Sequence, residues 1–414
     1  MTLEPRSRPA PRPREIVASL SATHVSNGLI AFIFSASGPV AIILAAGLQG
    51  GLSHSDLASW IFAAFVINGA LSIGLSIAYR TPLAFFWTIP GTVLVGHSLT
   101  HLSFEEVIGA FIATGILLLV LGLTGLVRRI MDQLPMPIVM AMVAGVFLSF
   151  GLDWITAFQD GVWIAAPMTA AFLVLSFSPV AGRFLPPMIG VLIVGVAAVA
   201  LQGATAEQGE LASEATGLAS LLVSPNLYVP AFSLGALLEL VIPLAITVLA
   251  AQNAQGVAIL EANGHRAPVN TITTACGATS LVTAPFGCVS TCLTGPSNAI
   301  ISSGGEPKTQ YVAAIVLACL AICFGLLAPL FIDLMLSTPP AFIATLAGLA
   351  LLRVLQTAFQ TAFGQRFSLG ALITFTVTVA DVGILNIGAP FWGLVFGYLT
   401  SLILERHDLV ERKD

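Results

Sequence analysis

Apolar runs of roughly 17 to 25 residues, each closed by a short polar break, recur along the whole chain. About 20 such residues are what a helix needs to cross a bilayer. The runs fall near 25–47, 57–78, 83–100, 104–127, 136–152, 162–179 and 184–202, then near 231–257, 268–283, 285–303, 310–332, 339–358, 367–384 and 388–404. The pattern predicts an all-α polytopic membrane protein of about fourteen transmembrane segments. The long break at 203–230 divides them into seven and seven, and an odd number per half turns the second half upside down, as in an inverted repeat. The expected organisation is a tail at 1–22, a first repeat at 23–202, an outer loop at 203–230, a second repeat at 231–404 and a tail at 405–414.

Composition agrees. The chain is 57% hydrophobic and 8% charged, against about 45–50% and about 25% in soluble domains, so its solvent is lipid. Charge adds sidedness. With the N-terminal tail inside, all 15 Lys and Arg residues fall on the cytoplasmic side, among them Arg80, Arg128, Arg129, Arg183, Arg266, Lys308 and, at or beside the twelfth loop, Arg353 and Arg366. Acids such as Asp56, Glu105, Asp153 and Glu207 fall outside. Both termini are therefore expected in the cytoplasm. Arg6, Arg8, Arg12 and Arg14 alternate with prolines, which reads as a disordered tail and not as a cleavable signal peptide. No basic cluster beyond it could track nucleic acid. The five cysteines lie in apolar segments, with no nearby His or carboxylate to complete a metal site.

Two of the runs make poor continuous helices. The third contains Thr88-Ile89-Pro90-Gly91 and the tenth Thr294-Gly295-Pro296-Ser297. Proline in a first helical turn loses no hydrogen bond and a preceding Thr can cap free amides, so each motif predicts a half-helix starting in mid-membrane after a short extended segment. In an inverted repeat the two starts converge, and their positive ends would attract a carboxylate.

The chain also resembles the benzoate transporter family of bacterial inner membranes. The likeness rests on Arg80-Thr-Pro-Leu-Ala-Phe-Phe-Trp-Thr-Ile-Pro-Gly91, Ala284-Pro-Phe-Gly287, Leu346-Ala-Gly-Leu-Ala-Leu-Leu352 and Ile387-Gly-Ala-Pro-Phe-Trp-Gly-Leu394. It implies proton-coupled import of benzoate and a fold similar to the uracil and nucleobase transporters. It also implies a core of spans 1–4 and 8–11, and a gate of spans 5–7 and 12–14 that can form a homodimer. After Gly287 the chain departs from the family's usual pattern and runs Cys288-Val-Ser-Thr-Cys-Leu-Thr-Gly-Pro-Ser-Asn298, in a segment expected at the substrate.

The expected substrate residues are Trp87, Thr88, Pro90 and Gly91, Gln252 and Asn253, and Ser290, Thr291, Thr294, Gly295 and Pro296. Gln252 and Asn253 break an apolar run near where the nucleobase transporters carry an acidic residue, and an amide does not repel a carboxylate. Their alternative role is interhelical hydrogen bonding, worth about 0.6 kcal/mol each. Glu239 is the one carboxylate well inside a run, which makes it a candidate proton carrier, or else a brace between core and gate. Asp381, His97 and His101 fall at outer span ends, where solvation is the expected role. Phe85, Phe86 and Trp87 could stack a substrate ring or simply pack.

A channel or exchanger for other organic or inorganic anions is the competing function. An enzyme is not expected, since no Ser/His/Asp or metal-ligand cluster appears, and no phosphate-binding Gly-Lys motif points to ATP. No cofactor is expected. The expected partners are a small anion, a proton and the lipid bilayer.

Overall fold

The computed structural model describes residues 3–6, 9–127, 135–177, 187–201, 222–364, 366–381, 384 and 389–410. Most of the expected outer loop, 203–221, lies outside them, as do Arg8, Arg128, Arg129, Arg183, Arg412, Lys413, Glu207, Glu210, Glu214 and the Ile387-Gly388 start of one motif.

Helix forms along the uninterrupted apolar runs, because lipid offers the backbone no hydrogen bonds. The first half begins with α1 (Pro13–Ser19), α2 (Ala22–Ala36), α3 (Gly38–Gln49) and α4 (His54–Tyr79). Strand β1 (Phe85–Trp87) then runs into α5 (Ile89–Ser98), followed by α6 (Phe104–Thr124), α7 (Met136–Phe177) and α8 (Pro187–Leu201). The second half opens with α9 (Leu234–Ala262) and α10 (Val269–Thr283), then β2 (Thr291–Leu293) and α11 (Gly295–Ile301). It continues through α12 (Tyr311–Leu326), α13 (Ala328–Leu336), α14 (Pro340–Ala362), α15 (Ser368–Ala380), α16 (Ala389–Leu404) and α17 (Arg406–Val410).

Length and apolarity alone qualify six of the described helices to cross a membrane, or seven if α12 and α13, bent by 69°, are one span. That is fewer than the fourteen expected; α8, α15 and α16 are apolar but shorter. Helix α7, with 42 residues, would be about 63 Å long if straight, twice the hydrocarbon thickness of about 30 Å. It is two helices, since the backbone leaves helical geometry at Gly161. Trp154 Nε1 donates to Thr169 Oγ1 at 2.9 Å, a contact that a straight helix would stretch to about 22 Å.

The N-terminal segment differs from the disordered tail expected. Pro13 occupies the first turn of α1, where its missing N–H costs nothing. Arg80 bonds Glu15 at 2.7 Å and donates to the Pro9 carbonyl at 2.9 Å. The Glu4 carboxylate accepts from the N–H groups of Asn270 and Thr271, each at 2.9 Å, at the start of α10.

Two packed bodies result. Helix α6 lies against α10, and α12 against α2 and α4. Helix α14 packs on α7, α15 on α7 and α16, and α8 on α7. One apolar cluster, including Trp60, Phe65, Phe111 and Phe324, fills the first body. A second, including Phe147, Phe342, Leu346 and Leu349, fills the other and reaches Ile42 and Val93 of α3 and α5, which seats the bodies against each other.

Candidate functional site

Strands β1 and β2 pair antiparallel, with Phe85 opposite Leu293, Phe86 opposite Cys292 and Trp87 opposite Thr291. The ladder extends at both ends, through Thr88 N–H to Ser290 O and Thr294 N–H to Ala84 O, each 3.1 Å. Because the strands are antiparallel, α5 and α11 leave them in opposite directions, as the sequence pattern predicts for two half-helices.

An isolated strand pair inside lipid has two unpaired edges, each costly. Here polar side chains satisfy them. On β1, Ser72 Oγ accepts from Phe85 N–H at 2.8 Å, Ser76 Oγ accepts from Leu83 N–H at 3.1 Å, and Asn298 bonds both the N–H and the carbonyl of Ala84. On β2, Ser280 Oγ accepts from Thr291 N–H at 2.9 Å and Asn253 Oδ1 from Leu293 N–H at 2.8 Å. These residues are buried, and every one lies on a helix beside the strands.

A cavity of about 630 Å³ opens beside this pair, between the two bodies. Pro90 of α5, Pro296 of α11 and Gln252 of α9 form its wall on the strand side, while Met140, Phe147 and Phe172 of α7 and Leu349 of α14 form the opposite wall. Gln252 is 6% exposed, and its side chain makes no hydrogen bond among the described residues, with its Oε1 buried. It lies in a π-helical turn, Thr247–Asn253. Such turns are frequent at functional sites.

The other expected residues divide by role. Thr88 caps α5, its Oγ1 accepting from Gly91 N–H at 3.2 Å. Thr294 does not cap α11. Its hydroxyl donates instead to Ala84 O at 3.1 Å, a carbonyl that also accepts from Thr294 N–H and Asn298 Nδ2. Asn253 is a strand brace, and Thr291 donates to Asn68 Oδ1 at 2.8 Å. Ser290 Oγ and Trp87 Nε1 are buried without partners among the described residues. Trp87 packs on Phe65 with ring centroids 5.2 Å apart, and Gly295 lies under the Gln255 side chain. Of the expected residues, Pro90, Gln252 and Pro296 line the cavity.

Glu239 is 5% exposed and has two partners, Ser98 Oγ and His101 Nε2, the latter at 3.0 Å. His101 is thus more than a solvated loop residue. His97 Nδ1 lies 3.8 Å from Asp381, whose side chain is 62% exposed.

Sequence reasoning missed Gln255 and Arg353, which also line the cavity. Gln255 is one helical turn beyond Gln252, a spacing that was available as a signal. Arg353, expected at or beside the twelfth loop, lies within α14, which continues to Ala362.

A multi-pass helical protein with two half-helices starting from a buried strand pair, beside a cavity between two bodies, has the architecture of a membrane carrier. The chain belongs to the benzoate membrane transport protein family, whose model matches residues 18–403. It is 30% identical over 392 residues to a benzoate membrane transport protein of Acinetobacter baylyi, covering 93% of this chain and 95% of the relative. It is 29% identical over 381 residues to inner membrane protein YdcO of Escherichia coli, covering 91% and 94%. The fold is similar to the transmembrane domain of the cyanobacterial bicarbonate transporter BicA, with a TM-score of 0.60, 16% identity and coverage of 92% and 98%. It is also similar to the murine anion transporter Slc26a9 in its inward-facing state, with a TM-score of 0.62, 13% identity and coverage of 97% and 73%. The protein is a membrane transporter and not an enzyme.

Proposed function

We propose that the chain imports a small aromatic carboxylate of the benzoate type across the bacterial inner membrane together with a proton. The observation that carries this reading is the cavity, whose walls are apolar apart from a few polar groups, among them the unpaired Gln252. An aromatic ring presenting about 150 Å² of surface gains about 4 kcal/mol there at ~25 cal/mol per Å², which an inorganic anion cannot collect. The carboxylate would lie against Gln252 and the free amides at the starts of α5 and α11. Volume agrees, since small-molecule sites run at about 300–1,000 Å³.

The reading includes fourteen spans in a 7+7 inverted repeat with both termini cytoplasmic. The antiparallel strands and opposed half-helices support it, and the reading carries with it a fold relation to the nucleobase transporters. The packing of α6 on α10 and of α14 on α7 supports a core of spans 1–4 and 8–11 and a gate of spans 5–7 and 12–14, through which two copies would pair. Glu239 carries the coupled proton.

The test is uptake into proteoliposomes of labelled benzoate, its ring-substituted relatives and bicarbonate, with and without an inward proton gradient. Accumulation of the aromatic acids that collapses with the gradient is expected. Accumulation of bicarbonate alone, or uptake that never exceeds equilibration, overturns the reading.

A further inference from the structure

Arg353 is the one charged side chain among the described residues that line the cavity. It shares a face of α14 with Leu349, Ala350, Val354 and Thr357, all of which also line the cavity. That spacing of three to four residues is one stripe of a helix. Nine more residues of α14 follow Arg353, about 13 Å of helix, so it is not a loop cation placed only to set topology.

Its guanidinium has no hydrogen bond or ion pair among the described residues, and the four described ion pairs all involve other groups. The residue is exposed. The cavity around it also reaches Met136 at the start of α7, Ser176 near its end and Pro187 at the start of α8. These are the ends of α7 and α8 nearest Arg128, Arg129 and Arg183 in sequence, the side read above as cytoplasmic. The cavity therefore has a deep end, where Gln252 and the half-helix starts meet, and a mouth where an unneutralised cation stands on the opposite body.

We infer that Arg353 is the counter-charge for the substrate carboxylate at the cytoplasmic mouth, receiving the anion as it leaves the half-helix starts. The inference rests on the transport reading above and deepens it. A guanidinium presents two parallel N–H donors that match a carboxylate. Among the described residues the lining holds no other charge, so Arg353 is the cation that a carboxylate released from the deep end meets. Because Arg353 belongs to the body that carries α7 and α14, the contact forms and breaks as the two bodies move. It selects monoanions over neutral isosteres on that side alone.

The experiment compares right-side-out and inverted membrane vesicles carrying wild type, Arg353→Gln and Arg353→Lys, with benzoate as substrate and benzamide as the neutral competitor. In Arg353→Gln the KM for benzoate presented on the cytoplasmic side rises tenfold or more. Presented from outside it changes less than twofold, and inhibition by benzamide is unchanged on both sides. Arg353→Lys recovers part of the loss. An unchanged KM on the cytoplasmic side, or a rise equal on both sides and shared by benzamide, overturns the inference while leaving the transport reading intact. Wild-type vesicles that carry no aromatic carboxylate overturn both.

Discussion

Glu239 and His101 share a hydrogen bond of 3.0 Å that ties α9 to the turn between α5 and α6. A carboxylate within an apolar run is costly to keep ionised unless it is partnered. Here Ser98 and His101 supply the partners. His101 is 35% exposed on its side chain, whereas Glu239 is 5% exposed, so the pair links an accessible imidazole to a buried acid.

Glu239→Gln mimics the protonated acid. If Glu239 carries the coupled proton, counterflow between equal substrate pools persists in this variant while gradient-driven accumulation is lost. Tracer counterflow and pH-jump uptake on the same proteoliposomes check it. Accumulation at the wild-type level would assign Glu239 to bracing α9 against the α5–α6 turn.

The strand pair depends on Asn298, which bonds Ala84 N–H at 3.2 Å and Ala84 O at 3.1 Å. Asn298→Ala leaves the buried Ala84 N–H unpaired at a cost of about 1–3 kcal/mol, whereas Ala84 O keeps the Thr294 N–H and hydroxyl. The expected outcome is a clear fall in the unfolding midpoint in detergent and loss of uptake. Asn298→Asp keeps the acceptor and loses the donor, and should fall between. Unchanged stability in Asn298→Ala would mean that water replaces the amide.

Much of this was legible as pattern, and what was not depended on contacts between distant segments. Thr88 followed by Ile-Pro-Gly announces a helix start because proline, cap and small residue act locally. Nothing local distinguishes Asn253, which braces β2, from Gln252, which faces the cavity. They are adjacent, and the π-helical turn that points them apart appears only in the fold. Arg353 was legible as a cation near the end of the run at 339–358, but its place on the cavity wall depends on how α14 packs against α7. Pro13 illustrates the opposite error. Alternating Pro and Arg suggest disorder, yet a proline that begins a helix is no obstacle to it.

Gly295 lies where an added Cβ would meet the side chain of Gln255, a cavity residue that can move. Gly91 instead lies against the Thr88 methyl, which the α5 cap holds in place, and against the buried Leu244 Cδ2. Gly295→Ala is therefore expected to push Gln255 into the cavity and raise KM several-fold with little change in stability. Gly91→Val is expected to abolish uptake while the protein still reaches the membrane. Wild-type uptake by both variants would move the binding site away from the half-helix starts.

The sharpest test of the carboxylate reading lies at Gln252. Its side chain is 6% exposed, faces the cavity and has no described hydrogen-bond partner. An amide there can turn its N–H₂ toward an anion, whereas a carboxylate cannot. Gln252→Ala removes one contact, worth about 1.5–3 kcal/mol to a charged acceptor, and should weaken benzoate binding by roughly one to two orders of magnitude. Gln252→Glu instead places a second negative charge near the first. At about 4 Å and an effective dielectric near 20 the repulsion is about 4 kcal/mol, or roughly a thousandfold. Because only the ionised form of the new side chain repels, binding to Gln252→Glu should recover as pH falls and that carboxyl takes up a proton. Gln252→Ala should show no such recovery. Equilibrium binding of labelled benzoate to purified protein across pH separates the two variants. Equal affinity of wild type and Gln252→Glu at neutral pH would place the carboxylate elsewhere.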